Sequence, residues 1–407
     1  MEQLWKSFSS TLIPHMEELK HKNHNKHIYK NILRVFYLQL LKANESYISN
    51  KFKIQVTNEL IENSHQIINN NILTKSRYFP VKIMQFIQKE TELRTCCTFK
   101  IRKYNFKLYF YSYSHQLQDS LHFKQLEKYC RKVYTWFHII LLYKKNIICK
   151  KELEIHIFLT PFSKELPRSN GTILGPKHIN SGFTSSCNNY DSSIVIFRHD
   201  EWFKVLCHET FHFLNLDFHE INMMYAQESL NNLFHIKSHF LLYESYCEFW
   251  ATIWNTMFNS FSITDVSFKD FSIAYFNNIE NEKMFSCFQT AKILHHNTLQ
   301  YRNLIDNKNT EFYKEDTNVF AYYVIKSILL YNDDLFLKLL NNINKNILRF
   351  ESTRENVERF CKFIVKHYND KSYVETIEIF EKIIYNINNK IPTSYKPLFS
   401  TLNMTLQ

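Results

Sequence analysis

The chain has 407 residues, and its 36 Phe and 25 Tyr bring the aromatic share to 16%, which excludes extended disorder and supplies a large core, enough for two or three domains. The formal charge of +11 permits nonspecific attraction to nucleic acid or an anionic membrane and specifies neither. The longest strongly apolar runs, residues 137–143 and 328–332, are too short to cross a bilayer, and no signal-like segment follows Met1.

Residues 1–75 carry apolar groups at helical spacing, interrupted by a basic, histidine-rich stretch at 21–27 that reads as a solvated linker. Residues 98–113 alternate with period two over their later half. Phe106, Leu108 and Phe110 line one face of a strand, with Lys107 and Tyr109 on the other. Single-stranded nucleic acid binders use basic, aromatic strands of this kind, but half-buried strands commonly carry the same residues. A helix over about 118–143 and a second alternating strand over 153–160 follow.

All three glycines (Gly171, Gly175, Gly182) and three of the seven prolines (Pro161, Pro167, Pro176) then fall close together, so the irregular backbone is concentrated in one stretch. A short segment at 180–184 and a strand at 193–198 lead into a helix with Asp200 as its expected cap, in a stretch that no Pro or Gly interrupts as far as Phe218. Beyond 255 the apolar stripes at 285–294, 317–330 and 357–365 predict further helices. The tail after Pro392 has few signals and is expected to be mobile. Nine cysteines, an odd number with no C-x-x-C pair, predict reduced thiols and a cytoplasmic location.

The chemistry lies in Cys207-His208-Glu209-Thr210-Phe211-His212. On a helix the H-E-x-x-H spacing puts both imidazoles on one face, one turn apart, where both reach a single metal ion. Glu209 is rotated by about 100 degrees, so its carboxylate lies beside the ion and takes a proton from a bound water. The next helix-like segment, residues 238–254, is strongly apolar yet carries Glu244 and Glu248 one turn apart; two carboxylates on one face of a buried helix need positive partners, which a zinc ion and its histidines would supply. Cys207 and Cys247 lie next to these residues, point elsewhere on their helices, and read as small buried thiols.

H-E-x-x-H followed by a helix with E-x-x-x-E resembles the gluzincin class of zinc metallopeptidases, on His208, Glu209, His212, Glu244 and Glu248. The resemblance implies Zn2+, one per chain, held by His208, His212 and Glu244. Glu248, where Asp is usual, would receive the far ring proton of a zinc-bound histidine. The run from about 153 to 254 is also similar to predicted zinc-protease-like proteins of large nucleocytoplasmic DNA viruses, including the African swine fever virus type, which would place the chain in a host cytoplasm. A distorted metzincin arrangement is the rival: its third histidine position is Phe218 here, and His219 falls one residue late. Otherwise His208 and His212 are hydrogen-bonded core residues and the glutamates face water.

The expected fold is α+β and mostly helical: a helical region over 1–92, a zincin-like core with a small sheet on the H-E-x-x-H helix over 93–260, and a helical domain over 261–407. In zincin-like cores an edge strand hydrogen-bonds the backbone of the substrate, and Asn180, Ser181, Gly182 and Arg198 are the candidates. For the donor that steadies the tetrahedral oxyanion, His295, His296 and Tyr301 are available, with one of the two histidines favoured; Tyr322 and Tyr323 read as supporting or core residues. The function so implied is a zinc-dependent hydrolase of a peptide or protein substrate. The alternatives are a non-enzymatic scaffold or interaction protein on a zinc-stabilised fold and a basic nucleic-acid-binding protein. The sequence does not specify the oligomeric state.

Overall fold

A computed structural model describes residues 1–10, 26–61, 78–117, 121–144, 149–187, 192–263, 267–387 and 391–406. The histidine-rich stretch at 21–27 is among the side chains outside that description. The chain forms two compact units from interleaved segments: a sheet unit, Ile32–Ser163 with Asn180–Leu216, and a helical unit, Met1–Asn31 with Lys164–Ile179 and Asp217–Gln407. The described residues are mostly helical, with a small mixed sheet. Among the described residues, no helix is long and apolar enough to cross a membrane.

In the sheet unit, six strands run β1 (Gln55–Leu60), β2 (Thr91–Ile101), β3 (Tyr104–Tyr113), β4 (Glu152–Thr160), β5 (Gly182–Thr184) and β6 (Ser193–Arg198), in the spatial order β1-β2-β3-β4-β6-β5. β3, β4 and β6 are parallel, while β1, β2 and β5 pair antiparallel to their neighbours. β6 is buried along its whole length, as its apolar run requires of a strand covered on both faces.

Two expectations need correction here. The span 98–113 is a hairpin, because the chain reverses at Arg102, which takes φ 54°, and Ile101 pairs with Tyr104; a turn made by Arg-Lys carries none of the usual Gly or Asn signals. Likewise β1 lies within the stretch expected to be helical, and all six of its residues are exposed, so no apolar face marks it as a strand.

Period-two alternation sets the two faces of the sheet. Phe106 packs on Phe137, and Phe99 on Tyr134, at ring centroid distances of 4.9 and 5.3 Å, which seats the His122–Ile140 helix on one face. Tyr111, Phe158, Val195 and Phe197 point the other way and meet Ile83 and Ile87 of the Val81–Glu90 helix. Each such fully buried side chain contributes about 1.5–3 kcal/mol.

The helical unit is built around the Phe268–His296 helix, which Ser267 caps by accepting the Asp270 N–H and which is buried without a break from Glu282 to Leu294. An amphipathic helix would not carry charges there, yet Glu282, Lys283 and Lys292 are all buried. Lys283 pairs with Asp333 at 2.8 Å and Glu280 at 2.9 Å. Burial nevertheless pushes the Asp333 carboxyl up to about 6, against the opposing pull of Lys283.

The other two charges hold the C-terminal segment, which is buried at Leu402, Met404, Thr405 and Leu406 and so corrects the expectation of a mobile tail. Lys292 Nζ donates to the carbonyls of Leu398 (2.7 Å) and Thr401 (2.5 Å). Tyr323 donates to the Leu402 carbonyl, Lys326 Nζ to that of Met404 at 3.0 Å, and Glu282 accepts from Thr405 Oγ1 and the Leu406 N–H. The tail lacks sequence signals because its backbone is satisfied by distant side chains and not by a ladder of its own.

Candidate metal centre

The H-E-x-x-H residues lie on the Trp202–Phe213 helix of the sheet unit. The helix is entered through Glu201 in the left-handed region (φ 58°), with no side-chain cap, so Asp200 does not cap it as expected. It ends at Phe213, and two residues on Asn215 takes φ 50°; Asn tolerates that conformation better than most residues.

The helix packs closely on β5 and β6. A Cβ on Gly182 would lie 2.8 Å from Val205 Cγ1 and 2.9 Å from the Val195 carbonyl oxygen, so only glycine allows the helix to approach the strand this closely. On its other side, Trp136 Nε1 donates to Thr210 Oγ1 at 3.0 Å. With Phe211 and Phe213 fully buried, the helix presents its histidines from a rigid base.

There His208 Nε2 and His212 Nε2 lie 3.1 Å apart, their rings 70° from coplanar. Two nitrogens bound to one tetrahedral zinc at about 2.0–2.1 Å would be about 3.3 Å apart. The two nitrogens are within hydrogen-bond distance of each other, and their 3.1 Å separation is also close to that of two nitrogens sharing a zinc ion. Glu209 is buried beside them in the chain.

In the helical unit, Glu244 sits in the first turn of the Leu242–Ile263 helix and Glu248 one turn further on, half-buried and buried respectively. Tyr322 donates to Glu244 Oε2 at 3.2 Å. The tyrosine is carried by a one-turn π-helix, Phe320–Ile325, and its neighbour Tyr323 turns into the core. Such π segments are often found at functional sites. Glu315 fixes the start of this turn by accepting the Phe320 N–H at 2.7 Å and the Tyr313 hydroxyl at 2.8 Å.

The remaining candidates are placed as follows. His219 Nδ1 is 2.5 Å from Asp217 Oδ1, and Cys247 Sγ lies 3.8 Å from Asp217 Oδ2; Phe218 packs between Phe350 and Phe360. His295 and His296 are in the last turn of their helix, where Asn297 ends it. The His296 ring is fully buried with Nε2 2.9 Å from the Thr172 carbonyl oxygen, while His295 is half-buried; burial lowers the pKa of both. Tyr301 is fully buried and donates to the Tyr368 carbonyl at 2.7 Å. Arg198 is buried and spends its guanidinium on the carbonyls of Asn180, Phe162 and Ser163 at 2.9, 3.2 and 2.8 Å. It thereby fixes the loop ahead of β5, which is one of the two edge strands of the sheet. Ser181 accepts the Phe197 N–H through its carbonyl.

Among the described residues, two groups of side chains have the donor types that could hold a metal ion: His208 with His212 and Glu244, and His212 with Asp217 and Cys247. Nitrogen with carboxylate oxygen or thiolate is a zinc-type donor set, and the separation of the two histidine nitrogens fits such an ion. No protein-family model, curated protein or solved structure matches the chain.

Sequence reasoning missed one bond near this helix. Cys149 and Cys187 form a disulfide with Cα atoms 4.8 Å apart, which corrects the expectation that all nine thiols are reduced. The two are 38 residues apart in sequence, and no spacing rule pairs cysteines at such distances. The other seven are free, Cys207 and Cys247 among them and both buried, as expected of small core thiols.

Proposed function

We propose that the chain is a zinc-dependent hydrolase of the gluzincin kind that acts on peptide bonds. His208, His212 and Glu244 hold one zinc ion, and Glu248 orients a liganding histidine. The observation that carries this reading is the 3.1 Å separation of the His208 and His212 outer nitrogens on a helix whose next residue after His208 is the buried Glu209. A purely structural metal needs no such carboxylate.

When bound, zinc lowers the pKa of water and polarises a carbonyl. The chain's own residues do the rest. The Glu209 carboxylate accepts the proton of the attacking water and returns it to the departing amine. β5 has one edge paired with β6 and offers the other to an extended substrate, whose backbone would lie along Asn180, Ser181 and Gly182. Arg198 contributes by holding the Asn180 carbonyl. His295 or His296 is the proposed oxyanion donor, and Tyr322 supports Glu244.

The test is Glu209→Gln. It should retain zinc, measured by elemental analysis, and abolish hydrolysis of a mixed-peptide substrate library that the parent cleaves. Full activity in the variant would overturn the role of Glu209. A zinc-loaded parent that cleaves nothing would favour the scaffold reading instead.

A further inference from the structure

The disulfide Cys149–Cys187 has a position that the hydrolytic reading does not use. Cys187 lies three residues beyond β5, and its N–H donates to the carbonyl of Phe213 at 2.8 Å. Phe213 directly follows His212. The residue before Cys187 makes a second link, since Ser186 Oγ donates to Asn215 Oδ1 at 2.7 Å, just where the left-handed turn ends the helix. One short stretch therefore joins the edge strand to the His212 end of the metal helix. The disulfide fastens that stretch to Cys149, three residues ahead of β4, and the Lys150 N–H donates to the Cys187 carbonyl at 3.2 Å beside it.

We infer that Cys149–Cys187 is a redox tether on the metal helix: oxidised, it holds the His212 turn in the geometry that binds metal, and reduced, it lets that turn loosen and release it. This rests on His208 and His212 being metal ligands. The helix is well secured at its Gly182 and Thr210 contacts, so the turn after His212 is where a cross-link adds most. A ligand pair must hold its geometry to within about 0.5 Å to bind well, and loss of supporting contacts around metal ligands typically costs about 10–100-fold in affinity.

The chemistry is thiol–disulfide exchange with a cellular low-molecular-weight thiol or dithiol as reductant. Its thiolate attacks the sulfur of Cys149, because Cys149 is 6% exposed and Cys187 fully buried. The S–S bond breaks, Cys187 leaves as a thiolate and takes a proton, and a second thiol resolves the mixed disulfide. Two electrons and two protons pass to the protein, and the reductant leaves as its own disulfide.

The experiment uses the full chain, oxidised and phosphine-reduced, beside Cys149→Ala and Cys187→Ser, with three readouts. Alkylation in denaturant, which opens the buried thiols, should label seven of the nine cysteines before reduction and nine after it. Zinc affinity, from competition with a chromophoric chelator, should fall about 10-fold on reduction and equally in both variants, which oxidation then no longer affects. Amide exchange over 182–187, measured without metal, should accelerate on reduction. Nine labelled cysteines before reduction, or equal zinc affinity in the oxidised and reduced chain, overturns the tether. Absence of zinc binding in every form, with exchange at 182–187 still redox-sensitive, leaves the tether on the turn and sinks its coupling to metal together with the hydrolase reading. Comparing one sequence in two redox states keeps the test valid even where a variant fails to fold.

Discussion

The hydroxyl of Tyr322 lies 3.2 Å from Oε2 of Glu244, and the tyrosine is carried on a single π turn. In an unbroken α-helix, Tyr322 and Tyr323 would be about 100 degrees apart, and the apolar stripe would decide which faces the core. Here Tyr323 takes the core position, and Tyr322 is left to hold the carboxylate. A carboxylate with a fixed donor on one oxygen presents the other in a defined direction.

The consequence is testable with Tyr322→Phe, which keeps the ring and removes only the hydroxyl. Zinc affinity should fall about 10-fold, as for other outer contacts of metal ligands. Peptide hydrolysis at saturating zinc should change much less. A larger loss of turnover than of zinc affinity would mean that the phenol acts on substrate.

His208→Ala and His212→Ala should each reduce bound zinc to near zero by elemental analysis, while Glu248→Ala reduces it only in part. The helix should survive each change, because it is secured by Trp136, Val205 and Gly182 and not by the histidines. Far-UV circular dichroism should therefore be unchanged in zinc-free samples. Retention of stoichiometric zinc by both histidine variants would rule out the His208 and His212 pair.

How much of this was legible in the sequence depends on where each feature gets its partners. The H-E-x-x-H helix, β4, β6 and residues 285–294 of the Phe268–His296 helix are marked by their own side chains, through spacing or an apolar run, and the sequence located them; the earlier part of that helix it did not mark. The β2–β3 hairpin escaped because Arg102 makes a left-handed turn without Gly or Asn. β1 escaped because none of its residues is buried. The disulfide and the buried tail depend on contacts across 38 residues and, for Lys292 with Leu398, 106 residues, which no local pattern encodes.

The tail gives a stability prediction. Leu402 is fully buried among Leu174, Ile179, Ile293 and Tyr323, so Leu402→Ala should cost about 2–5 kcal/mol in denaturant unfolding. Tyr385 is 75% exposed on the Lys371–Ile387 helix, and Tyr385→Ala should stay within about 0.5 kcal/mol. Equal small effects would mean that the C-terminal segment contributes nothing to the fold.

Glu381 supplies a pH dependence that can be isolated from the metal. Its carboxylate accepts the Tyr301 N–H at 2.6 Å from a buried position. Burial pushes its pKa up from 4.5 to about 7; the Tyr301 N–H opposes this, Glu378 adds to it and Arg302 opposes it. The folded state thus holds this proton more tightly than the unfolded chain does. Its contribution to stability is fully present below about pH 4.5 and is lost as pH rises through about 7, a change on the order of 3 kcal/mol. Asp333, also raised, to about 6, acts in the same direction, so the parent and Glu381→Gln must be compared at each pH. Glutamine keeps an acceptor for Tyr301 and cannot titrate. The variant should match the parent's stability near pH 4.5 and exceed it near pH 8, with the difference opening between those values. Parallel unfolding curves across that window would show that Glu381 has an ordinary pKa in the folded protein and that Tyr301 is held by other contacts.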